Sequence, residues 1–573
     1  MSEGETLRCG NSGELSTGVA RGAPLRYHRE SRGGPAPVAA PPMTMRTPDR
    51  TPVPDRFNAA AFFLDRHVAE GRGARTAFRH RARSISYARV ADRANRCGNA
   101  LAGLGVRAEQ RVLLALPDGP EFAESFWGAL KLGAVAVPVN PGLRAEEYLQ
   151  LLRDGRMTAA VAAAPALDAI LSARAGAPWL ASVVAVRDAD AAGAPGAAAA
   201  GALDYEALLA AASPALAAAD THRDDAALWG YTSGSTGAPK AAVHAHRDLV
   251  CAADLVGVGT FGIGPDDRIL SVSKLYFAYG LGNSLYFPAR VGAAAILVPG
   301  RLEPEGIFEL IAAERPTCLF AVPTVYARLL EVPGRGPGDL GALRLCVSSG
   351  EALAPRLFHQ WQDRFGVELL DVVCSTEALH DFIANRPGRA RAGSSGEVIP
   401  GFEARLVDGD GRPVLPGNTG ELLVKGDSTA SGYWNRREQT RRTMVGEWLR
   451  TGDMFYQDTE GYFFFGGRTD DMLKVGGMWV SPVEVESCLL DHPALLEVAV
   501  IGRRDTDGLT RAHAYCVLAA GAAAGPDLAA ELTQHVRRRL AGYKAPRWVD
   551  FVAELPKTPT GKIQRFRLRA PAR

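Results

Sequence analysis

The pattern of apolar and polar positions alternates between two kinds of segment along most of the chain. Short runs in which nearly every residue is apolar predict buried strands, and segments with an apolar residue at every third or fourth position predict amphipathic helices. The predicted strands are residues 111–116, 134–139, 226–230, 269–272, 293–298, 317–322, 343–348 and 368–373, and the predicted helices include 59–70, 121–132 and 305–315. Strands that alternate with helices indicate an α/β fold with a mostly parallel sheet.

The pattern changes toward the C-terminus. Residues 403–466 carry short β-rich runs separated by turn dipeptides such as Asp410-Gly411, which predict a smaller β subdomain. Residues 467–474 have the composition of a linker, and the roughly 100 residues beyond them are enough for a small domain. We therefore expect a large N-terminal domain over residues 53–469, built of α/β sheet subdomains plus the β subdomain, and a small mobile α+β domain over residues 470–573.

Two segments lack this periodicity. Residues 1–52 are rich in Gly, Pro, Arg and Ser, and such a segment cannot bury enough apolar surface to offset its ordering entropy, so we expect a disordered extension. Met43 and Met45 stand just before the globular pattern begins, which suggests the hypothesis that residues 1–42 are not native. Residues 191–219 are Ala-rich, and either a helical insertion or a loose loop fits that composition.

Composition and charge exclude several classes of function. The chain has 65 basic and 63 acidic residues, a net charge of +2 that gives no electrostatic reason to expect nucleic acid as a partner. Its eight cysteines show no C-x-x-C spacing, which speaks against a zinc site and a disulfide scaffold. No apolar run reaches the ~18 residues of a membrane span, and the N-terminus lacks the apolar core of a signal peptide. A cytoplasmic protein without a membrane partner is expected.

Residues 231–240 are the stretch richest in candidate chemistry, reading Tyr-Thr-Ser-Gly-Ser-Thr-Gly-Ala-Pro-Lys after the predicted strand 226–230. Glycines let the backbone turn tightly, so that N–H groups and hydroxyls can surround phosphate oxygens while Lys240 adds a positive charge. The stretch is not a Walker loop, because Pro239 precedes the lysine and Ala241 follows it. A flexible Gly/Ser turn is the alternative interpretation.

The ten-residue stretch closely resembles the signature loop of the adenylate-forming superfamily, which includes acyl-CoA synthetases, luciferases and peptide-synthetase adenylation domains. Further motifs of that superfamily follow in order, and each has a simpler interpretation when it stands alone: a helix N-cap, a turn aspartate or a basic tail. They are Ser375-Thr376-Glu377, Thr451-Gly452-Asp453, Gly467-Arg468-Thr469-Asp470 and the segment 556–562 that ends in Gly561-Lys562. The resemblance covers about residues 57–569.

The resemblance implies a role for each matching residue. Thr376 would hold the α-phosphate, Glu377 would bind Mg²⁺, Asp453 would bind the ribose, Asp470 would be the hinge between domains, and Lys562 would be the catalytic lysine of adenylation. The implied ATP- and AMP-binding residues are Thr232, Ser233, Gly234, Ser235, Thr236, Gly237, Lys240, Gly350, Glu351, Thr376, Asp453, Arg468 and Lys562.

One departure from the superfamily concerns adenine. The superfamily has Tyr-Gly-x-Thr-Glu where this chain has Val373-Cys374-Ser375-Thr376-Glu377. The aromatic residue that usually stacks near adenine is therefore missing, and its role is not assigned to Val373.

Two further stretches, residues 274–283 and 375–388, resemble the benzoate–CoA ligase subfamily. In that subfamily the matching residues form the pocket for the aromatic acid, where small Ala278 leaves room for a flat ring and Phe277 and Tyr279 supply apolar walls. Ordinary core packing is the alternative for these aromatic side chains. The implied pocket residues are Phe277, Ala278, Tyr279, Gly280, His380 and Asp381.

Asp381 departs from the subfamily, which usually carries an aliphatic residue after the histidine. A buried carboxylate needs a partner. Our hypothesis is that Asp381, together with His380, hydrogen-bonds a hydroxyl or amino group on the ring of the substrate. The alternative is that Asp381 turns outward to solvent.

The resemblance implies an ATP-dependent aryl-CoA ligase that converts benzoate, or a hydroxy- or amino-substituted benzoate, to its CoA thioester through an acyl-adenylate. Its cosubstrates would be ATP, with Mg²⁺, and coenzyme A. AMP and pyrophosphate would be released, and pantetheine would pass Gly476, Gly477, Met478 and Trp479. Alternatives are a carrier-protein-loading enzyme and a ligase for another acid. A non-catalytic binding protein is disfavoured because Glu377 and Lys562 are present.

The lysine motif also resembles the site that bacterial lysine acetyltransferases modify on such ligases. Acetylation would remove the charge of Lys562, so we expect it to lower activity if it occurs. The sequence leaves the oligomeric state open between monomer and dimer.

Overall fold

The computed structural model describes residues 51–164, 166–187, 201–233, 239–469, 471–475, 478–506, 508–557 and 563–569. The predicted disordered extension lies outside these residues, except for its last two positions. Residues 191–200 of the Ala-rich segment 191–219 also lie outside them. The part of that segment that is described contains a short strand, Leu203–Asp204, and a helix, Tyr205–Ala211.

The described residues form two large sheets, and the first, which we call sheet A, has eight strands. Six of them are parallel, and two antiparallel strands extend the sheet beyond Ala226–Ser233. Its order is Gly432–Tyr433, Pro239–Ala245, Ala226–Ser233, Val135–Pro138, Arg111–Ala115, Ala159–Ala163, Ser182–Val186 and Leu203–Asp204.

Sheet B has nine strands, of which the six central ones are parallel and the outer ones antiparallel. Its order is Glu397–Val398, Asp381–Ala384, Leu369–Cys374, Leu345–Ser348, Cys318–Ala321, Arg268–Ser271, Ala294–Leu297, Thr76–His80 and Arg83–Ser86. Strands of both sheets were expected from their apolar runs, and the α/β fold is confirmed.

Helices connect and cover the strands, and six of them begin at a proline, whose fixed φ suits the first helical position. These six are Pro120–Lys131, Pro304–Glu314, Pro323–Glu331, Pro355–Phe365, Pro482–Leu490 and Pro526–Arg539. The other α-helices are Arg66–Ala69, Tyr87–Gly103, Ala145–Asp154, Ala166–Arg174, Tyr205–Ala211, His246–Ala252, Ala278–Leu281, Phe287–Val291, Arg437–Thr443 and Arg565–Arg569. The predicted helix 59–70 is a π-helical turn, Ala61–Asp65, that continues into Arg66–Ala69.

Further π-helical turns span Ala253–Val258 and Gly282–Tyr286, and 3₁₀ turns span Pro337–Leu340, Thr376–Ala378 and Gly542–Lys544. No helix within the described ranges is long and apolar enough to cross a membrane.

The β subdomain and the C-terminal part follow the predicted order. The β subdomain is an antiparallel sheet of Glu403–Val407, Gly420–Lys425, Met444–Val445, Trp448–Gln457 and Phe463–Arg468. The C-terminal part has a hairpin, Leu473–Val475 with Met478–Val480, and a three-stranded sheet of Leu495–Arg504, Thr510–Leu518 and Trp548–Phe551.

Sheets A and B meet at the ends of two strands. Gly230, in the sheet A strand Ala226–Ser233, lies so close to Thr376 that a Cβ on the glycine would be 2.5 Å from the threonine methyl. His244, in the neighbouring strand, donates from Nε2 to the carbonyl oxygen of Thr376 at 2.7 Å. Since Thr376 follows a sheet B strand, this contact brings the polar loops of both sheets together.

Candidate active site

The phosphate-loop stretch sits at the turn of a β-hairpin. Ala226–Ser233 pairs with Pro239–Ala245, and Thr232 lies opposite Lys240 in this pairing. Gly234, Ser235, Thr236 and Gly237 lie outside the described residues, so their predicted phosphate contacts stay a prediction. Within the described part of the chain, the buried hydroxyl of Thr232 has no hydrogen-bond partner.

Lys240, Tyr433 and Glu377 form a connected polar cluster, which we call the phosphate-side cluster. Lys240 Nζ donates to the Tyr433 hydroxyl at 2.6 Å and lies 3.3 Å from Glu377 Oε1. The Tyr433 hydroxyl in turn donates to the same carboxylate oxygen at 2.6 Å. Burial and the Glu377 charge together raise the pKa of Tyr433 well above its usual value, so the phenol keeps its proton.

Thr376 and Glu377 form a tight turn, Thr376–Ala378, after the sheet B strand Leu369–Cys374. The N-cap interpretation also holds, through Ser375, whose hydroxyl accepts from the Ala378 amide at 3.1 Å. Because Ser375 carries out the capping, the side chains of Thr376 and Glu377 are left for other contacts.

Asp453, expected at the ribose, and Arg468, expected to contact the nucleotide, lie opposite each other in the β subdomain. Asp453 pairs with Arg468 across two antiparallel strands, and Arg468 Nη1 lies 2.7 Å from Asp453 Oδ1. Gly452 has φ +72°, a left-handed conformation that favours glycine before the aspartate. The Arg468 charge also acts on Tyr433, opposing the rise in its pKa, so this pair lies near the phosphate-side cluster.

Gly350 and Glu351 follow the sheet B strand Leu345–Ser348, on the loop that was expected to approach the nucleotide. Gly350 has φ +93°, which explains why a glycine stands at this turn. Burial lowers the pKa of Arg565, but the Glu486 carboxylate raises it above its usual value, and the charge of Glu351 adds a small further rise.

The expected aryl-pocket residues lie on a short helix, Ala278–Leu281, and at the start of the strand Asp381–Ala384. Tyr279 is 7% exposed, and its carbonyl oxygen accepts from His380 Nε2 at 3.1 Å. Gly280 approaches the preceding loop, where a Cβ would lie 2.2 Å from the carbonyl oxygen of Lys274. Phe277, which directly precedes this helix, is 41% exposed, and its role as an apolar wall of the pocket stays a prediction.

Asp381 points inward, so the alternative in which it turns to solvent is wrong. The residue is fully buried, and its Oδ2 lies 3.0 Å from His380 Nδ1. Burial raises the pKa of the Asp381 carboxyl, while the His380 ring opposes that rise. Gly282 leaves the room that His380 occupies, since a Cβ there would lie 2.3 Å from the imidazole ring.

The predicted catalytic lysine, the predicted hinge and part of the predicted pantetheine segment fall on undescribed positions. Gly476, Gly477, Asp470 and Lys562 lie outside the described residues, and Met478 and Trp479 are described only as part of the strand Met478–Val480. The two ends of the lysine segment do meet: Lys557 pairs with Ile563, and the Gln564 amide donates to the Pro556 carbonyl at 2.7 Å.

Sequence reasoning missed Tyr433, His244 and an ion pair between Lys274 and Asp118. Lys274 Nζ donates to the carbonyl oxygens of Val298 and Gly300 at 2.7 and 2.6 Å, and it lies 3.6 Å from Asp118 Oδ2. Burial raises the pKa of Asp118 to about 6. Lys274 opens the stretch 274–283, but Tyr433, His244 and Asp118 stand in none of the motifs recognised in the sequence, because each contacts a group distant in sequence.

Replacing Tyr433 with phenylalanine tests the phosphate-side cluster. The change removes the hydroxyl that joins Lys240 to Glu377 and keeps the ring over which Lys240 Nζ lies, 4.0 Å from the centroid. One such hydrogen bond contributes about 1–2 kcal/mol, so we expect roughly a tenfold loss in kcat/KM for ATP. Tyr462→Phe, which removes a hydroxyl bonded to the Arg389 carbonyl, is the control and should leave ATP kinetics unchanged. An unchanged Tyr433→Phe enzyme would contradict a role for the bridge.

Comparisons with known proteins agree with this geometry. The AMP-binding enzyme family matches residues 65–434, and the AMP-binding enzyme C-terminal domain matches residues 484–562. The chain is 44% identical to a benzoate–CoA ligase of Thauera aromatica, over 91% of this chain and 98% of that one. It is 42% identical to a 4-hydroxybenzoate–CoA/benzoate–CoA ligase of Rhodopseudomonas palustris, over 90% and 94% of the two chains. The crystal structure of the anthranilate CoA ligase AuaEII with anthranoyl-AMP superposes with a TM-score of 0.84 at 40% identity, covering 92% of this chain and 98% of that one.

Proposed function

Because the chain belongs to the AMP-binding enzyme family and, within it, to the benzoate–CoA ligase subfamily, we propose that it is an aryl-CoA ligase. It joins an aromatic carboxylate to coenzyme A at the expense of ATP. In the first half-reaction a carboxylate oxygen bonds to the α-phosphorus of ATP, and the bond from that phosphorus to the bridging oxygen of pyrophosphate breaks. In the second, the thiolate sulfur of CoA bonds to the acyl carbon and AMP leaves.

The observation that carries the proposal is the position of the phosphate-side cluster beside Thr376, where the two sheets meet. Lys240 supplies positive charge within 3.3 Å of Glu377, and Thr376 stands next to Glu377 in the same turn. Phosphoryl-type transfer depends mostly on positioning and on charge stabilisation, and these are the groups that supply both. Asp453 would hold the ribose hydroxyls, with Arg468 fixing the orientation of its carboxylate.

Glu377 is the residue that would hold magnesium. Within the described ranges no three His, Cys, Asp or Glu side chains converge as a metal site. Mg²⁺ that accompanies a nucleotide usually takes only one or two carboxylates and completes its coordination with phosphate oxygens and water. A single carboxylate whose neighbours are Lys240 and Tyr433 fits that requirement, and the ion would neutralise phosphate charge when bound.

The remaining roles rest on the sequence motifs. Lys562 would donate to the developing charge during adenylation, Asp470 would act as the hinge of the small domain, and the segment with Gly476 and Gly477 would border the thiol chain of CoA. Small residues suit that last role, because a slender chain can then approach the backbone closely. Regulation by a lysine acetyltransferase acting on Lys562 belongs to the same proposal.

An aromatic acid is supported as the substrate by two findings. The similar proteins are named as ligases of benzoate, 4-hydroxybenzoate and anthranilate, all of which are aryl carboxylates. In this chain the His380 ring packs against aromatic side chains, with centroids 5.3 Å from Tyr279 and 4.5 Å from Phe287, beside the helix that carries the expected pocket residues. The second candidate, an enzyme that loads an aryl acid onto a carrier protein, shares the ATP motifs and differs only in the thiol acceptor.

The test measures AMP release and thioester formation separately. Purified enzyme is incubated with ATP, Mg²⁺ and benzoate or a substituted benzoate, with and without CoA, and the products are identified by mass spectrometry. We expect AMP release and aryl-CoA to appear together and to depend on CoA for turnover, and chelation of Mg²⁺ should stop both. An adenylate that forms without reaching CoA would move the assignment to carrier-protein loading. No adenylate with any aryl acid would overturn the proposal.

A further inference from the structure

Four polar side chains form a buried cluster beside the helix Ala278–Leu281: Asn283, Tyr286, His380 and Asp381. Each is at most 1% exposed. Two come from the π-helical turn Gly282–Tyr286, and two come from the start of the strand Asp381–Ala384 and the residue before it. We call these four side chains the polar floor.

The members of the polar floor lie close to one another. A Cβ placed on Gly282 would be 2.6 Å from His380 Nε2 and 2.8 Å from the Tyr286 hydroxyl, so both groups border the same point. Burial is the largest cause of the raised pKa values of Tyr279 and Tyr286, and the negative charge of Asp381 is the second largest. Asp381 is therefore near both phenols.

Most polar atoms of the floor have no partner among the residues that the structure describes. Among the described residues, no hydrogen-bond partner is found for either amide atom of Asn283, for the Tyr286 hydroxyl or for either carboxylate oxygen of Asp381. His380 Nδ1 lies 3.0 Å from Asp381 Oδ2, but the two atoms are not aligned as a hydrogen bond. Native proteins pair nearly all of their buried polar groups, because an unpaired group has lost water without a replacement. Several at one place point to a ligand group that completes the pairing.

The main-chain contact of His380 indicates what kind of ligand group fits. A carbonyl oxygen only accepts, so Nε2 must donate its proton to Tyr279. In the neutral ring Nδ1 is then an acceptor, and it faces the Asp381 carboxylate, which also accepts when ionised. If the two share one proton, Oδ1 of Asp381 still remains as an acceptor. A hydroxyl group supplies one hydrogen to such a site, and an amino group supplies two.

We propose that the polar floor is a subsite for a hydroxyl or amino group on the aromatic ring of the acid, a proposal that rests on the proposed function. Asp381 is its specificity-determining residue, because its carboxylate is fully buried and neither oxygen has a hydrogen-bond partner among the described residues. Benzoate has no hydrogen to donate and would leave the floor unpaired. The favoured substrates are therefore hydroxy- or aminobenzoates.

The test compares ring substituents of similar size. Adenylation kinetics are measured with benzoate and with hydroxy-, amino- and methylbenzoates at each ring position, because a methyl group matches the size but donates no hydrogen bond. At one position we expect the hydroxy or amino acid to exceed the methyl acid by about 10²-fold or more in kcat/KM, since sites built for a polar group reject analogues lacking it. The ring position and the substituent that give this excess identify the preferred substrate.

Asp381→Leu should remove this preference, lowering kcat/KM for the donor-bearing acid and raising that for benzoate, which no longer leaves a buried carboxylate unpaired. Asp381→Asn keeps the shape, should give an intermediate ratio, and serves as the readout if melting curves show that the leucine variant does not fold. Asp267→Asn is the matched control: it changes a buried carboxylate bonded to Arg344, outside the floor, and should keep the wild-type ratio.

Equal use of benzoate, methyl-, hydroxy- and aminobenzoates by the wild-type enzyme would overturn the subsite while leaving the aryl-CoA ligase in place. An equal loss on all acids in the Asp381 variants would overturn it as well. Absence of activity with every aryl acid would instead overturn the proposed function, so the two failures are distinguishable.

Discussion

Glu377→Gln is expected to lower kcat/KM for adenylate formation by about 10²–10³-fold, the size of effect seen when a charge-stabilising group is removed from an active site. Glutamine keeps the shape and can still accept from the Tyr433 hydroxyl, 2.6 Å from Oε1. It cannot balance the Lys240 ammonium, 3.3 Å away, and it is a poorer ligand for Mg²⁺. The fold should be retained, because the turn Thr376–Ala378 is held by main-chain contacts and by Ser375.

The measurement is the rate of pyrophosphate release over a range of Mg²⁺ concentrations. We expect the variant to need more Mg²⁺ for half-maximal rate, as well as to be slower at saturation. Glu314→Gln is the control, because Glu314 is also a largely buried carboxylate that pairs with an arginine, Arg79, away from the phosphate-side cluster. A Glu377→Gln enzyme with wild-type rate and Mg²⁺ dependence would remove Glu377 from the proposed site.

Gly280→Ala is expected to weaken binding of the aromatic acid, raising its KM about tenfold or more, since displacements near 1 Å can cost up to about 10²-fold. A Cβ on Gly280 would lie 2.2 Å from the carbonyl oxygen of Lys274 and 2.5 Å from that of Ser273. Both are main-chain atoms, so the loop before the helix Ala278–Leu281 has to move. The strain should also destabilise the fold by about 1–3 kcal/mol.

Helix propensity alone predicts the opposite effect of Gly280→Ala on stability. Alanine is better than glycine within a helix by about 1 kcal/mol, so a substitution without the clash would stabilise the protein. Gly264→Ala is the control, because its nearest neighbour would be 3.9 Å from the added Cβ. The measurements are the melting temperature and the separate KM values for the acid and for ATP. An unchanged KM for the acid would contradict the prediction, because it would show that the loop moves without disturbing the pocket.

The sequence by itself determined the elements and the class of chemistry. Apolar runs such as 317–322 and 343–348 are strands in the structure, Cys318–Ala321 and Leu345–Ser348, because a strand buried on both faces needs apolar residues at nearly every position. Motifs made of contiguous residues, such as the stretch 231–240 and Thr451-Gly452-Asp453, could also be recognised from the sequence alone. The family that they indicated is confirmed by the similarity to benzoate–CoA ligases over nine-tenths of the chain.

Only the tertiary structure decided which side chains meet. Tyr433 is 193 residues from Lys240 in sequence yet donates and accepts within one cluster, and no local pattern records such a pairing. Asp381 shows the same limit. The sequence left open whether this carboxylate faces solvent, and only the structure shows that it is fully buried beside His380. Periodicity reports which face of an element is apolar, but the burial of one side chain depends on what the other sheet and loops place against it.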